Sequence, residues 1–251
     1  MSDDGAFRPF RSWTPLVDPR TIPQGPVLVV SPHPDDEVIG CGGAIAFHVS
    51  RGDPVHVVHL TGGEGGDPQG LMGGDLVALR RREAREAAAV LGVKEIVALG
   101  FPDGGLTPSA ELVDRLAGEV KRVAPTVAYA PSPLECHPDH LAASRAAAAA
   151  LASASSPARL LMFEVNHPTI ASFLLDITPW IDKKREALAK FASQQRYNDL
   201  IGKRLGLAYA RTINIALPGI EYVEAFMEVR PERMPELWQD LAELHRKYAL
   251  P

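Results

Sequence analysis

The sequence predicts an α/β protein, a Rossmann-like, doubly wound and mainly parallel sheet with helices on both faces, in a single domain. Two observations carry this expectation. Short, fully apolar runs alternate along the chain with longer amphipathic ones, and two of the apolar runs lead into clusters of histidine and acid. Strands apolar on both faces are what a sheet covered by helices requires. With 251 residues, 46% of them hydrophobic, the chain can fill one complete core. No internal repeat or linker divides it, so residues 1–25 are expected to form an N-terminal extension and 26–251 one domain.

PVLVVS (26–31) reads as a buried strand, VIGCGGAIAFHVSRG as a helix stopped by Gly52, and PVHVVHLT as a second strand, together a βαβ unit. LVALRRREAREAAAVLGV continues as a helix, EIVALGF as a strand, SAELVDRLAGEVKRV as a helix capped by Ser109, and TVAYA as a strand. HLAASRAAAAALASA is helical by its alanine content, and RLLMFEV is a strand. DKKREALAKFASQQ is expected as one helix, YVEAFMEV as a strand, and PERMPELWQDLAELHRKY as a closing helix with proline in its first turn. The glycine-rich stretch 61–75 suits neither helix nor sheet and reads as a lid or a disordered excursion.

A net charge of -5 and the absence of a long basic run argue against nucleic-acid or anionic-membrane partners. RRREAR, near residue 80, reads as a solvated helix face. MSDDGAFRPFRSW has acids where a secretory signal would have positive charge and is followed by no apolar core segment, and no apolar run reaches the roughly 18 residues of a membrane span. A soluble, cytoplasmic protein is expected. Cys41 and Cys136 are too few for a disulfide framework and read as small buried hydrophobes beside a pocket. Glycines in GCGG do not match a dinucleotide fingerprint, and no Gly-Lys-Ser or Gly-Lys-Thr marks a phosphate loop.

SPHPDDEVIGCGG (31–43) places a histidine and three acids directly after the first strand. Buried acids repel one another and are costly to desolvate, and a cation resolves both difficulties. ECHPDH (135–140) follows a later strand. In a doubly wound sheet both clusters lie at strand ends where ligands bind, and together they offer His33, Asp36, His137 and His140 as ligands. Asp35 and Asp139 remain for acid, base or supporting work. Three nitrogen and oxygen ligands plus a water is the composition of a catalytic zinc site. His48, His56 and His245 read as packing or surface residues, whereas His59 and His167 lie nearer strand ends, where they could line a pocket.

HPDDE paired with a later HPDH resembles the zinc-dependent N-deacetylases of the LmbE-like, or PIG-L, family. RRREAREAAAVLGV, GFPDGGL, DKKREALAKFASQ and YVEAF resemble further family blocks in the same order, over roughly residues 25 to 230. The resemblance implies that His33, Asp36 and His140 hold the metal, that Asp35 is the general base, and that His137 stabilises the oxyanion or acts as an acid. It also implies that Arg80 and Asp103 touch sugar hydroxyls. Two positions depart from the pattern: Phe191 stands where relatives often have His ahead of the Ser-Gln pair, and Glu135 where some carry tyrosine.

Amide hydrolysis near neutral pH needs an activated water and a proton for nitrogen. Zinc supplies the first, and Asp35 can carry the proton. His137, with Asp139 to orient it, can hold the developing negative oxygen as an imidazolium. Glu37 reads as a supporting or helix-start carboxylate. The expected activity is removal of an N-acetyl group from an amino sugar or a conjugate containing N-acetylglucosamine. The alternatives are an amidase or tailoring deacetylase acting on a thiol-cofactor conjugate or a glycosylated natural product, and a non-enzymatic sugar-binding module. Zn2+ is the expected cofactor, with Fe2+ accepted by the same ligand set. A homo-oligomer is compatible with the sequence.

Overall fold

The computed structural model of the chain describes residues 16–248. The N-terminal stretch read as lacking a secretory signal lies outside the described residues. Seven strands form one sheet: β1 (Val27–Ser31), β2 (Val55–Thr61), β3 (Glu95–Phe101), β4 (Val127–Pro131), β5 (Arg159–Phe163), β6 (Phe173–Asp176) and β7 (Val223–Val229). Their order is β3-β2-β1-β4-β5-β7-β6. The first five run parallel, with Val29 level with both Val57 and Tyr129. The strand β7 pairs antiparallel with β5 and with β6, so the sheet is mixed at one edge.

Eight helices join them: α1 (Asp36–Ser50), α2 (Leu76–Leu91), α3 (Ala110–Val123), α4 (Pro138–Ser153), α5 (Ile181–Ala189), α6 (Ala192–Gln195), α7 (Leu200–Ala210) and α8 (Met234–Tyr248). One core layer lies between the sheet and α1, α2, α5 and α7; the other packs α3, α4 and α8 on the opposite face. Both faces of β1, β2 and β4 are therefore buried, which is why these strands read as continuous apolar runs.

Local chemistry fixes most boundaries. Ser109 caps α3 through the Leu112 N–H, Asp75 caps α2 through that of Ala78, and Gly92 ends α2 at φ 81°. The buried stripe Leu112, Leu116, Val120 and Val123 repeats at helical spacing along α3. Alanines of α4 bury their small side chains against α3 and the sheet, so helix and sheet approach closely. In the RRREAR tract Arg81, Arg82 and Arg85 are solvated as expected, but Arg80 and Glu83 are buried.

Three elements differ from the sequence expectation. The expected helix over 182–195 breaks at Phe191, whose ψ of 57° separates α5 from α6. Residues 173–176, for which the sequence suggested no element, form β6, and α7 was not anticipated. Cys41 is buried, but Cys136 is exposed in the loop between Glu135 and His137. No helix among the described residues is long and apolar enough to cross a membrane.

Candidate metal centre

Strand order reverses between β1 and β4, because β2 lies outside β1 while β5 lies outside β4. Crossovers leave on opposite faces there and open a crevice beyond the strand ends. HPDDE leaves β1 into α1, and ECHPDH leaves β4 into α4. The two motifs therefore meet across the crevice.

His33 Nδ1, Asp36 Oδ2 and His140 Nε2 converge. Their separations are 3.0 Å between His33 and Asp36, 3.3 Å between His140 and His33, and 3.3 Å between His140 and Asp36. Ligand atoms around a tetrahedral zinc ion with bonds of about 2.0–2.1 Å stand about 3.3 Å apart. The spacing and the donor types fit such an ion.

Surrounding acids orient both imidazoles. His33 Nε2 lies 3.0 Å from Asp103 Oδ1 and 3.3 Å from Asp139 Oδ2. His140 Nδ1 lies 3.1 Å from Glu135 Oε2. Each carboxylate favours the proton on the nitrogen facing it, which leaves the other nitrogen's lone pair aimed at Asp36. Three electron-rich atoms then share one point, a demand for positive charge. Burial opposes charge on His33, yet Asp103, Asp139 and Asp36 outweigh it and push its pKa up to about 12. Burial likewise opposes charge on His140, and Asp36 with Glu135 raises its pKa to about 9. Asp36 is itself buried, but the two histidines hold its carboxyl well below the usual range.

Asp35 occupies a conformation rare for a side-chain-bearing residue, φ 136° with ψ -27°. Such strain costs on the order of 1–3 kcal/mol and persists only where neighbours impose it. Glu37 does so: its Oε2 accepts from the Asp35 N–H at 3.2 Å and from Ser31 Oγ at 2.9 Å. Burial is the main reason the Asp35 carboxyl is pushed up to about 7, reinforced by Asp36 and Glu37 and opposed by Arg80 and His33. Arg80 Nη2 sits 3.0 Å from Asp35 Oδ1, while its guanidinium also donates to the carbonyls of Gly63 and Pro34. Space for that guanidinium depends on glycine, since a Cβ on Gly63 would lie 2.2 Å from Arg80 Nη1.

His137 caps α4, and its Nδ1 accepts the Asp139 N–H at 3.2 Å. The ring proton therefore belongs on Nε2. Burial lowers its pKa, with the His140 and His33 charges adding to the effect. The Asp139 carboxylate lies within 4.8 Å of a His137 ring nitrogen, contacts His33 Nε2 and accepts the backbone N–H groups of Gly104 and Leu106, at 2.7 and 3.0 Å.

A cavity of about 370 Å3 opens on these residues. His33, Asp35, Asp36, His137 and His140 border it at one end; Asn166, Gln194, Tyr197, Asn198 and Arg204 form the outer wall. Arg80 and Asp103 border the cavity too, but polar atoms of both are engaged by the protein: Arg80 by Asp35, Asp103 by His33 and, at 2.8 Å, by the Gly65 N–H. Part of the glycine-rich stretch borders the cavity. Gly65 and Gly66 line the cavity, and Asp67 accepts from Tyr197 and from the Leu71 and Met72 N–H groups. His59 lines a different cavity beyond Pro34, with its Nε2 3.2 Å from Glu37 Oε2, and His167 is exposed.

The sequence reading assigned no role to two residues that support the site, Glu135 and Glu83. Glu135 holds His140 and accepts the Val165 and Asn166 N–H groups at 2.7 and 3.0 Å, tying this imidazole to the cavity wall. Glu83 accepts the Ser193 N–H and hydroxyl at 2.8 and 2.6 Å, which fixes the Ser193-Gln194 pair beside the cavity. The spacing Arg80-x-x-Glu83, one helical turn, was the available signal.

Fold and site together define an α/β protein with a His-Asp-His cluster suited to a divalent cation at the switch point of its sheet. The family model described as GlcNAc-PI de-N-acetylase (PIG-L) matches residues 28–151. A probable N-acetyl-alpha-D-glucosaminyl L-malate deacetylase 2 of Bacillus anthracis is 33% identical over 186 residues, 67% of this chain and 80% of that protein. The diacetylchitobiose deacetylase of Thermococcus kodakarensis is 38% identical over 118 residues, which are 45% of this chain and only 44% of that protein. Among solved structures, the 4-carboxy-2-hydroxymuconate hydratase of Pseudomonas putida aligns with a TM-score of 0.73 and 28% identity, over 82% of this chain and 96% of that one. The chain belongs to the PIG-L (LmbE-like) family.

Proposed function

We propose that the protein is a divalent-metal-dependent N-deacetylase that hydrolyses the acetamide of an amino sugar or of a conjugate containing N-acetylglucosamine. The observation that carries this reading is the convergence of His33 Nδ1, Asp36 Oδ2 and His140 Nε2 beside the buried carboxyl of Asp35. Zn2+ suits the donor set, and Fe2+ is the second candidate. When bound, such an ion supplies a Lewis acid that polarises the amide carbonyl and makes a water acidic near neutral pH.

The chain's own residues do the rest. Asp35, with its pKa pushed up to about 7, accepts a proton from the attacking water and returns it to the amide nitrogen. One C–O bond forms, the C–N bond breaks, and acetate and a free amine leave. His137 donates its Nε2–H to the carbonyl oxygen as negative charge develops, a contribution typically worth about 3 kcal/mol. Arg80 restrains the Asp35 carboxylate, and Asp139, Asp103 and Glu135 hold the ligand imidazoles. Gln194, Asn166 and Asn198 offer the paired donors and acceptors that sugar hydroxyls require, with Arg80 and Asp103 as further contacts. The similarity to a glucosaminyl-malate deacetylase supports this substrate class. The cytoplasm is the compartment this reading assigns.

Similarity to the hydratase favours a second reading, in which the same water adds across a carbon–carbon double bond of an unsaturated acid. Acetate release from N-acetylglucosamine, its inositol and malate conjugates and diacetylchitobiose decides between them. The expected result is release by the wild type, with Asp35→Asn retaining its metal and losing more than about 99% of the rate. A wild type that releases no acetate but bleaches the absorbance of an unsaturated dicarboxylate would transfer the assignment to hydration. Metal retention without turnover of either kind would leave a sugar-binding module.

A further inference from the structure

The helix α1 carries Asp36 and is broken one turn later. Cys41, at φ -140° and ψ 25°, is not helical, so the segment before it and the segment after it are separate pieces of helix. In a regular helix the Gly43 N–H would bond to the Ile39 carbonyl. Here Lys184 Nζ donates to the Ile39 carbonyl at 2.8 Å, and Gly43 N–H donates to Glu224 Oε1 at 2.7 Å. Lys184 and Glu224 also meet each other at 2.7 Å, and Glu224 Oε2 accepts the Ala44 N–H at 2.8 Å. Both side chains are buried, at 2% and 3% exposure. A lysine from α5 and a glutamate from β7 thus bond the Ile39 carbonyl and the Gly43 and Ala44 N–H groups on either side of the break.

The surroundings are built for this break. A Cβ on Gly40 would lie 2.1 Å from the Phe163 ring, and one on Gly43 would lie 2.6 Å from Ile177, so the kinked segment sits directly on its neighbours. Neither Lys184 nor Glu224 is among the residues lining the catalytic cavity. A buried ion pair is costly to assemble, and a continuous helix would need none. The break separates the first turn of α1, which carries Asp36, from the rest of the helix.

We infer that Lys184 and Glu224 are positioning residues for the metal centre, acting through the broken helix that carries Asp36; this rests on the metal-dependent reading above. The test compares wild type, Lys184→Met and Glu224→Gln. It measures Zn2+ affinity by chelator competition, kcat and KM for acetate release, and amide hydrogen exchange across residues 36–44 in metal-free protein. Glu224→Gln keeps the shape but puts an NH2 against a backbone N–H, so it serves if Lys184→Met does not fold. The expected result is Zn2+ affinity weakened about tenfold or more, kcat lowered more than KM is raised, and faster exchange confined to 36–44. A folded variant with Zn2+ affinity and kcat within about twofold of wild type, or with unchanged exchange in 36–44, overturns the inference. Failure of the wild type itself to bind Zn2+, Fe2+ or another divalent ion would instead overturn the metal-dependent reading.

Discussion

At the residue scale, the acids behind the histidines set the character of the site. Glu135 divides its carboxylate between His140 on one side and the Val165 and Asn166 N–H groups on the other. Glutamine cannot accept on both sides. Glu135→Gln should weaken zinc binding about 10–100-fold while leaving a folded protein, as chelator competition and circular dichroism would check. A second buried histidine lies outside the centre. His48 contacts Asp53 at 2.8 Å and the Tyr129 hydroxyl at 2.9 Å, and burial lowers its pKa to about 4. Its folded-state pKa lies below the ordinary 6.5, so the unfolded chain binds the proton more readily. The stability this group contributes is complete above pH 6.5 and is lost as pH falls through about 4, on the order of 3 kcal/mol in all. Urea unfolding at pH 7.5 and 4.5 should show a smaller loss in His48→Gln than in wild type; equal losses would refute it. HPDDE and HPDH were legible as neighbours because each follows a buried strand. Glu135's partners and the Lys184–Glu224 pair were not, since residue type does not reveal which distant group a charge will face.

At the scale of elements, the sequence was readable wherever one signal governed. Continuous apolar runs marked β1, β2 and β4, and Ser109 marked the start of α3. Where tertiary contacts overrode local preference, reading failed. The helix expected over 182–195 stops because Ser193 is drawn to Glu83 and Phe191 is fully buried in the core. The strand β6 has only four residues and takes its identity from β7 beside it, a pairing that no alternation announces. Packing around α1 yields a direct test. Gly40→Ala brings a methyl against the Phe163 ring and should destabilise the fold by about 1–3 kcal/mol in urea titration. Gly118→Ala, with nothing within 4 Å of the new methyl on α3, should be neutral or slightly stabilising.

At the scale of the whole molecule, the centre joins the β1 side of the sheet to the β4 side, because His33 and Asp36 come from one crossover and His140 from the other. An ion bound only by the folded chain stabilises the whole, by about 2.7 kcal/mol at a hundred times its Kd. Zinc titrated into chelator-treated protein should therefore raise Tm, and His140→Ala should abolish most of that rise. On the proposed reading, chemistry and recognition occupy different parts of the fold: the His-Asp-His cluster lies in the seam, whereas the outer wall comes largely from the segment after β5 and from the turn between α6 and α7. Those wall segments can diverge without disturbing the seam. Exchanging them between members of the family is then a route to new specificities on a constant catalytic engine, and a chimera should inherit its reaction from the seam donor and its choice of partner sugar from the wall donor.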